Sequence, residues 1–136
     1  MSTLIFDDIK KMYLKYDFIN GAETPSITPL MSERLAHLKE EYDETVLATK
    51  NKDLEEVVDG LIDIMVIAAG TLHLCGVDPQ AHWDEVLRAN MTKERGINPK
   101  RNHKIDIIKP ESWIGPNHTA ILEKTISEKT ISEKTV

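Results

Sequence analysis

From Val57 to Leu74 this chain is apolar around almost the full circumference of a helix, yet two carboxylates, Asp59 and Asp63, sit inside that run. A helix that is hydrophobic all round is buried on all sides. An acid inside such a segment is costly unless a cation or hydrogen bonds compensate it. A second acidic cluster, Glu40, Glu41, Asp43 and Glu44, lies just upstream. Two tandem helices that each present carboxylates point to a metal site between them.

The flanking residues delimit the elements. Ile5, Ile9, Met12, Tyr13 and Tyr16 recur at helical spacing and predict a helix over 3–17, followed by a connector over 18–29. Thr28 as N-cap and Pro29 in the first turn predict a second helix reaching about residue 50, with Leu35, Leu38, Tyr42 and Val46 on its inner face. Asp53-Leu54-Glu55-Glu56 has the capping-box pattern, so the third helix runs from Leu54 to about Leu74 and stops at Gly76. Asp78 and Pro79 open a fourth helix whose apolar face is Trp83, Val86, Leu87 and Met91. Residues 94–118 are rich in glycine, proline, lysine and arginine, and read as an extended basic segment with at most a short strand at 105–108. The end repeats Thr-Ile-Ser-Glu-Lys from Thr125 and again from Thr130. A five-residue period presents no continuous apolar face, so the tail is expected to be frayed or ordered only by a neighbour. The expected architecture is all-α: a four- to five-helix bundle whose antiparallel hairpin carries the metal site, with an extended C-terminal segment. Residues 1–95 form the helical part, and 96–136 a lid-like segment and tail of the same domain.

Composition narrows the function. The length of 136 residues allows one modest core, and a monomer of four helices cannot easily bury the third so completely. A homo-oligomer built on that helix, a dimer or a dimer of dimers, is therefore expected. The net charge of −6 argues against a nucleic-acid backbone as partner. A metal ion in an acidic pocket still leaves small phosphorylated ligands open. The single cysteine, Cys75, excludes an intrachain disulfide and a cysteine zinc cluster and fits a reducing cytoplasm. No basic-plus-apolar stretch opens the sequence, so no signal peptide is expected. The uninterrupted apolar stretch Ile64–Ala69 is too short to span a bilayer, so no membrane partner is expected.

Glu41 and Glu44 share one side of the second helix, and Asp59 and Asp63 one side of the third, with Glu56 a turn earlier. A connection of two or three residues forces the helices antiparallel, so these acids can converge. At about 4 Å each like-charged pair costs some kcal/mol at an effective dielectric near 20. Mg²⁺ or Mn²⁺ removes that cost and suits phosphoryl chemistry. The competing readings are a solvated face for the first cluster, and for Asp59 and Asp63 a structural ion pair with Arg34, Lys39 or Arg88. Lys100, Arg101, Lys104 and Trp113 are candidates for a lid over a nucleotide. His37, His73 and His82 have no paired histidine at metal spacing and receive no ligand role.

The strings Glu41-Tyr-Asp-Glu44, Asp59-Gly-Leu-Ile-Asp63-Ile-Met-Val-Ile-Ala-Ala-Gly70-Thr71 and Asp84-Glu-Val-Leu-Arg88-Ala-Asn90-Met-Thr-Lys93 closely resemble the all-α nucleoside triphosphate pyrophosphohydrolases, the MazG-like proteins. The branch resembled is that of phosphoribosyl-ATP pyrophosphohydrolase, common in phages and bacteria, and the resemblance covers roughly residues 30–95. It implies that ExxE and ExxD motifs bind Mg²⁺ and that an Asn/Lys pair contacts phosphates. Glu41 and Glu44 match the first motif, Asp63 the aspartate of the second, and Asn90 and Lys93 the pair. Gly60 stands where ExxD has its glutamate, so Asp59 with Glu56 replaces it, or Glu56-Val-Val-Asp59 is itself the motif. The implied reaction is cleavage between the α- and β-phosphates of a (d)NTP, with a purine such as dGTP or GTP as the substrate of some relatives. Glu41 or Glu44 is the expected base, Arg88, Lys104 and Trp113 further substrate contacts, and the cytoplasm of a bacterium or phage-infected host the expected location. Phosphoribosyl-ATP hydrolysis and a non-catalytic helical oligomerisation module are the alternatives.

Overall fold

A computed structural model describes residues 4–102 and 104–134. Five helices and one small hairpin follow in order: α1 (Leu4–Lys15), α2 (Met31–Lys50), α3 (Leu54–Leu74), α4 (Pro79–Met91), β1 (Glu94–Asn98), a 3₁₀ turn (Pro99–Arg101), β2 (Lys104–Ile108) and α5 (His118–Lys134). The fold is mainly helical, as the periodicity predicts. Residue 3, where the first helix was expected to begin, lies outside the described residues. That helix ends two residues early because Asp17 adopts φ 58°, and Phe18 N–H turns back to the carbonyl of Tyr13.

The caps of α3 and α4 agree with the sequence. Asp53 accepts from the Glu56 N–H, and Asp78 from the Ala81 N–H. Thr28 does not cap α2. Its hydroxyl accepts from Leu30 N–H and its carbonyl from Met31 N–H, a local turn that delays the helix to Met31. α2 and α3 pack as the antiparallel hairpin expected, the most extensive helix contact in the chain. Two close approaches fix their register. Arg34 donates to the Thr71 hydroxyl at 3.0 Å and to the Ile67 carbonyl at 3.1 Å, and also to the Tyr13 hydroxyl of α1. Further along, Gly60 lies so close to α2 that a Cβ there would stand 2.1 Å from Thr45 Oγ1.

α1 lies across the other end of α3, where Ile9, Tyr13, Ile19 and Ala69 form the core cluster. His73 reaches the Phe6 carbonyl at 2.9 Å and ties the same two helices. The core is thin: among the described residues no large side chain is fully buried. α3 is not buried on all sides within one chain, since Val58, Leu61, Ile62 and Met65 remain 47–52% exposed. Leu35 and Tyr42 of α2, expected on its inner face, are also exposed, as are Trp83, Leu87 and Met91 of α4. By length and composition alone α3 would pass for a membrane span, because the whole helix counts and not only Ile64–Ala69. Its two carboxylates argue against that role, since charge within hydrocarbon is costly.

The C-terminal third departs from the expectation. Residues 94–108 are not one extended segment with a lone strand but an antiparallel hairpin, with Glu94 opposite Ile108 and Asn98 opposite Lys104. The repeated tail is a helix, not a frayed end. Thr125 and Thr130 donate to the carbonyls of Ile121 and Ile126, and Lys129 donates to the Gly76 carbonyl. The repeat therefore forms a helix without one continuous apolar face, with local threonine bonds along it and Lys129 tying it to the end of α3. A strap over 109–117 joins hairpin to α5 and is pinned to α4: Arg88 donates to the Ile114 and Gly115 carbonyls, and the Asn117 N–H donates to Glu85.

Candidate active site

The register of the α2–α3 hairpin decides which acids meet. With Arg34 against Thr71 and Thr45 against Gly60, Glu41 falls opposite the turn that carries Asp63. Glu41 is the half-buried member of its cluster, its side chain 17% exposed, whereas Glu40, Asp43 and Glu44 are exposed. Asp63 is likewise half-buried, and Glu56 and Asp59 are exposed. Burial raises the Glu41 carboxyl above the ordinary value, and the charges of Glu44 and Asp63 push it the same way. The charges of Glu44, on the same helix, and Asp63, on the facing one, thus act on Glu41 in the same sense as its burial.

The cations proposed as structural partners for Asp59 and Asp63 are engaged elsewhere. Arg34 binds Tyr13, Thr71 and the Ile67 carbonyl; Lys39 pairs with Asp43 at 2.7 Å; Arg88 pairs with Glu85 at 2.9 Å. Among the described residues neither Asp59 nor Asp63 has a basic side chain within ion-pair distance. The structural ion-pair reading thus fails on geometry. One neighbour escaped the sequence reading: His37 Nε2 stands 3.8 Å from Glu41 Oε1, one helical turn away. Its i,i+4 spacing from Glu41 was the available signal.

The donor set is carboxylate oxygen throughout, which fits a hard divalent cation such as Mg²⁺ or Mn²⁺ in chemistry. Glu41, Glu44 and Asp63 are the acids that interact, and Glu56 and Asp59 continue the same side of α3. Among the described residues of one chain no group of three or more converges to ligand distance.

Gly60 explains the departure from ExxD. A side chain at that position would collide with Thr45, whose hydroxyl donates at 2.7 Å to the carbonyl of Glu41. Close approach of the helices replaces the expected glutamate, and the acids are displaced to positions beside the contact.

The residues expected on the phosphate side stand at the C-terminal end of α4. Asn90 is exposed on the last turn of α4, and Lys93 follows it half-buried. The Lys93 ammonium lies over the Trp113 ring at 5.0 Å, and the indole N–H donates to the Ala89 carbonyl at 2.8 Å. Arg88 is committed to Glu85 and the strap carbonyls, so it secures the strap. Lys104 is exposed on β2, and Arg101 is paired with Asp106 at 2.6 Å. None of the cavities described joins the acids of the hairpin to Asn90 or Lys93.

A family model described as phosphoribosyl-ATP pyrophosphohydrolase matches residues 18–90. The match takes in the whole acidic hairpin and ends at Asn90, before Lys93, the β-hairpin, Trp113 and α5. No curated protein matches the chain.

Proposed function

The chain belongs to the phosphoribosyl-ATP pyrophosphohydrolase family, within the MazG-like nucleotide pyrophosphohydrolases, and from that premise we propose that it hydrolyses the α–β phosphoanhydride of a (d)NTP, giving a nucleoside monophosphate and pyrophosphate. The family supports nucleotide pyrophosphohydrolase chemistry in general. The finer reading is a (d)NTP, with a purine such as dGTP or GTP as first candidate. Phosphoribosyl-ATP fits the family match equally well and is kept as a second reading. The observation that carries the proposal is the acid pair Glu41 and Asp63 on facing helices, where Asp63 has no basic partner among the described residues and Glu41 has only His37 at 3.8 Å.

Glu41, Glu44 and Asp63, with Asp59 or Glu56, would hold Mg²⁺, or Mn²⁺ in its place. When bound, such an ion supplies neutralisation of the triphosphate and polarisation of its oxygens. Glu41 or Glu44 is the base that aligns the attacking water. It takes the proton of the attacking water as the new P–O bond forms, and the bond to the β-phosphate oxygen breaks. Lys93 offsets charge on the departing pyrophosphate, and Asn90 donates a hydrogen bond to a phosphate oxygen.

The same reading includes a homo-oligomer, a dimer or dimer of dimers, working in the cytoplasm. Val58, Leu61, Ile62 and Met65 give it support, since a half-exposed apolar stripe on the central helix asks for a cover. A monomeric mass by light scattering at micromolar concentration refutes that part. The activity is tested by pyrophosphate release from (d)NTPs and phosphoribosyl-ATP with and without Mg²⁺, using Asp63→Asn as control. No metal-dependent turnover of any of them removes the enzyme readings and leaves a helical oligomerisation module. Preference for phosphoribosyl-ATP over every (d)NTP selects the second substrate.

A further inference from the structure

Trp113 carries two lysines. Its indole N–H is fixed to the Ala89 carbonyl at the end of α4, and the ammonium groups of Lys93 and Lys109 each stand 5.0 Å from the ring centroid. Both distances lie within the range of cation–π attraction, and they keep the two charges no more than about 10 Å apart. Like charges so placed repel. Among the described residues neither lysine has a carboxylate within ion-pair distance. Glu85 is occupied by Arg88, and the acids adjacent in sequence, Glu94 and Glu111, are exposed and pair with neither lysine. A cavity of about 210 Å³ opens at the same ring, with the hydroxyl-bearing Thr92 and Ser112 in its wall.

We propose that Lys109 acts with Lys93 as a two-cation site for a diphosphate group, with Trp113 as the platform that holds both side chains. A diphosphate has a second phosphoryl group, and so a second set of charged oxygens, to offer to the second lysine. The identity of the anion rests on the pyrophosphohydrolase reading; the site itself rests on the geometry of the ring and its two lysines. Lys109 then contacts the leaving group and contributes to its binding.

The test is isothermal titration of the full chain with inorganic pyrophosphate and, separately, inorganic phosphate. Pyrophosphate is expected to bind at least about tenfold tighter than phosphate, with Lys109→Gln and Lys93→Gln each weakening it about tenfold. Lys109→Arg is expected to restore most of the loss. In a Trp83→Phe background, pyrophosphate should change the Trp113 emission, which a purely structural lysine would not produce. Undetectable pyrophosphate binding, equal affinity for both anions, or an affinity unmoved by Lys109→Gln each overturns the proposal. Lysine-dependent pyrophosphate binding in a protein that turns over no nucleotide leaves this site standing and removes the enzyme reading. Turnover combined with lysine-independent binding does the reverse.

Discussion

Replacing Gly60 by alanine puts a methyl group 2.1 Å from Thr45 Oγ1 and 3.3 Å from Thr45 Cβ. The threonine hydroxyl must rotate away or the helices must separate. Rotation forfeits its 2.7 Å bond to the Glu41 carbonyl, which is worth about 0.5–1.5 kcal/mol. Overpacking between two helices costs about 1–3 kcal/mol. Against this, alanine in place of glycine within a helix favours folding by about 1 kcal/mol. The net expectation is a loss of about 1–2 kcal/mol, a drop in Tm of roughly 3–8 °C for a chain of this size. Urea denaturation at fixed protein concentration measures it, and the Thr45→Ala/Gly60→Ala double variant is the control. Without the hydroxyl the added methyl keeps only the 3.3 Å neighbour, so the double variant should regain most of the stability lost from Thr45→Ala alone. A Gly60→Ala protein as stable as wild type, or a double variant showing no coupling between the sites, refutes the account of why glycine stands there.

Gly60→Glu, which writes the literal ExxD into the chain, is expected to lower stability and pyrophosphate release together; a gain of activity would show that motif outranks packing. Asp63→Asn should cut metal-dependent release about 100-fold or more with the far-UV circular dichroism unchanged. A carboxyl raised in the folded state, as Glu41 is by burial and then by Glu44 and Asp63, favours folding only at low pH and loses that contribution as pH rises through the raised value. Glu41→Gln, measured in a chelator, should therefore melt higher than wild type near pH 7, and the margin should close as the pH falls into the acid range. Burial holds His73 and His82 below the ordinary 6.5, so the unfolded chain takes up protons first. Stability should be full above about pH 6.5 and decline below it, and a denaturation midpoint that does not move between pH 7.5 and 5.5 counts against this.

The hairpin was legible because each of its signals is local and strong. Asp53 and Asp78 are acceptors three residues ahead of the N–H groups they cap, and the acidic spacings follow from the helix repeat alone. Thr28 looks like an N-cap but α2 starts later, because a threonine can satisfy its own turn instead of the helix. The five-residue repeat conceals α5, because it presents no continuous apolar face. Isoleucine, glutamate and lysine with threonine back-bonds make a helix whose faces are mixed, and sequence periodicity is blind to that. The β-hairpin was hidden by its proline and its charge, although Asn98 and the left-handed Asn102 are turn residues of the expected kind. At the site, residue types revealed the acids, but which of them are half-buried depends on helix register. That register is set by Arg34 and Gly60, and neither carries the chemistry.

The two contacts that set the register lie on either side of Glu41, Glu44 and Asp63. From Arg34 to Thr45 the second helix advances eleven residues, about 16 Å, and Glu41 falls between those ends. A sliding motion of α2 along α3 by a single residue would have to break the guanidinium bonds at one end and force Thr45 off its glycine at the other. The hairpin therefore behaves like a bar bolted at two points. Its acids can be exchanged one for another without the spacing between helices drifting, and any change in their separation must come from rotation about the bar or from another chain pressing on its open apolar side.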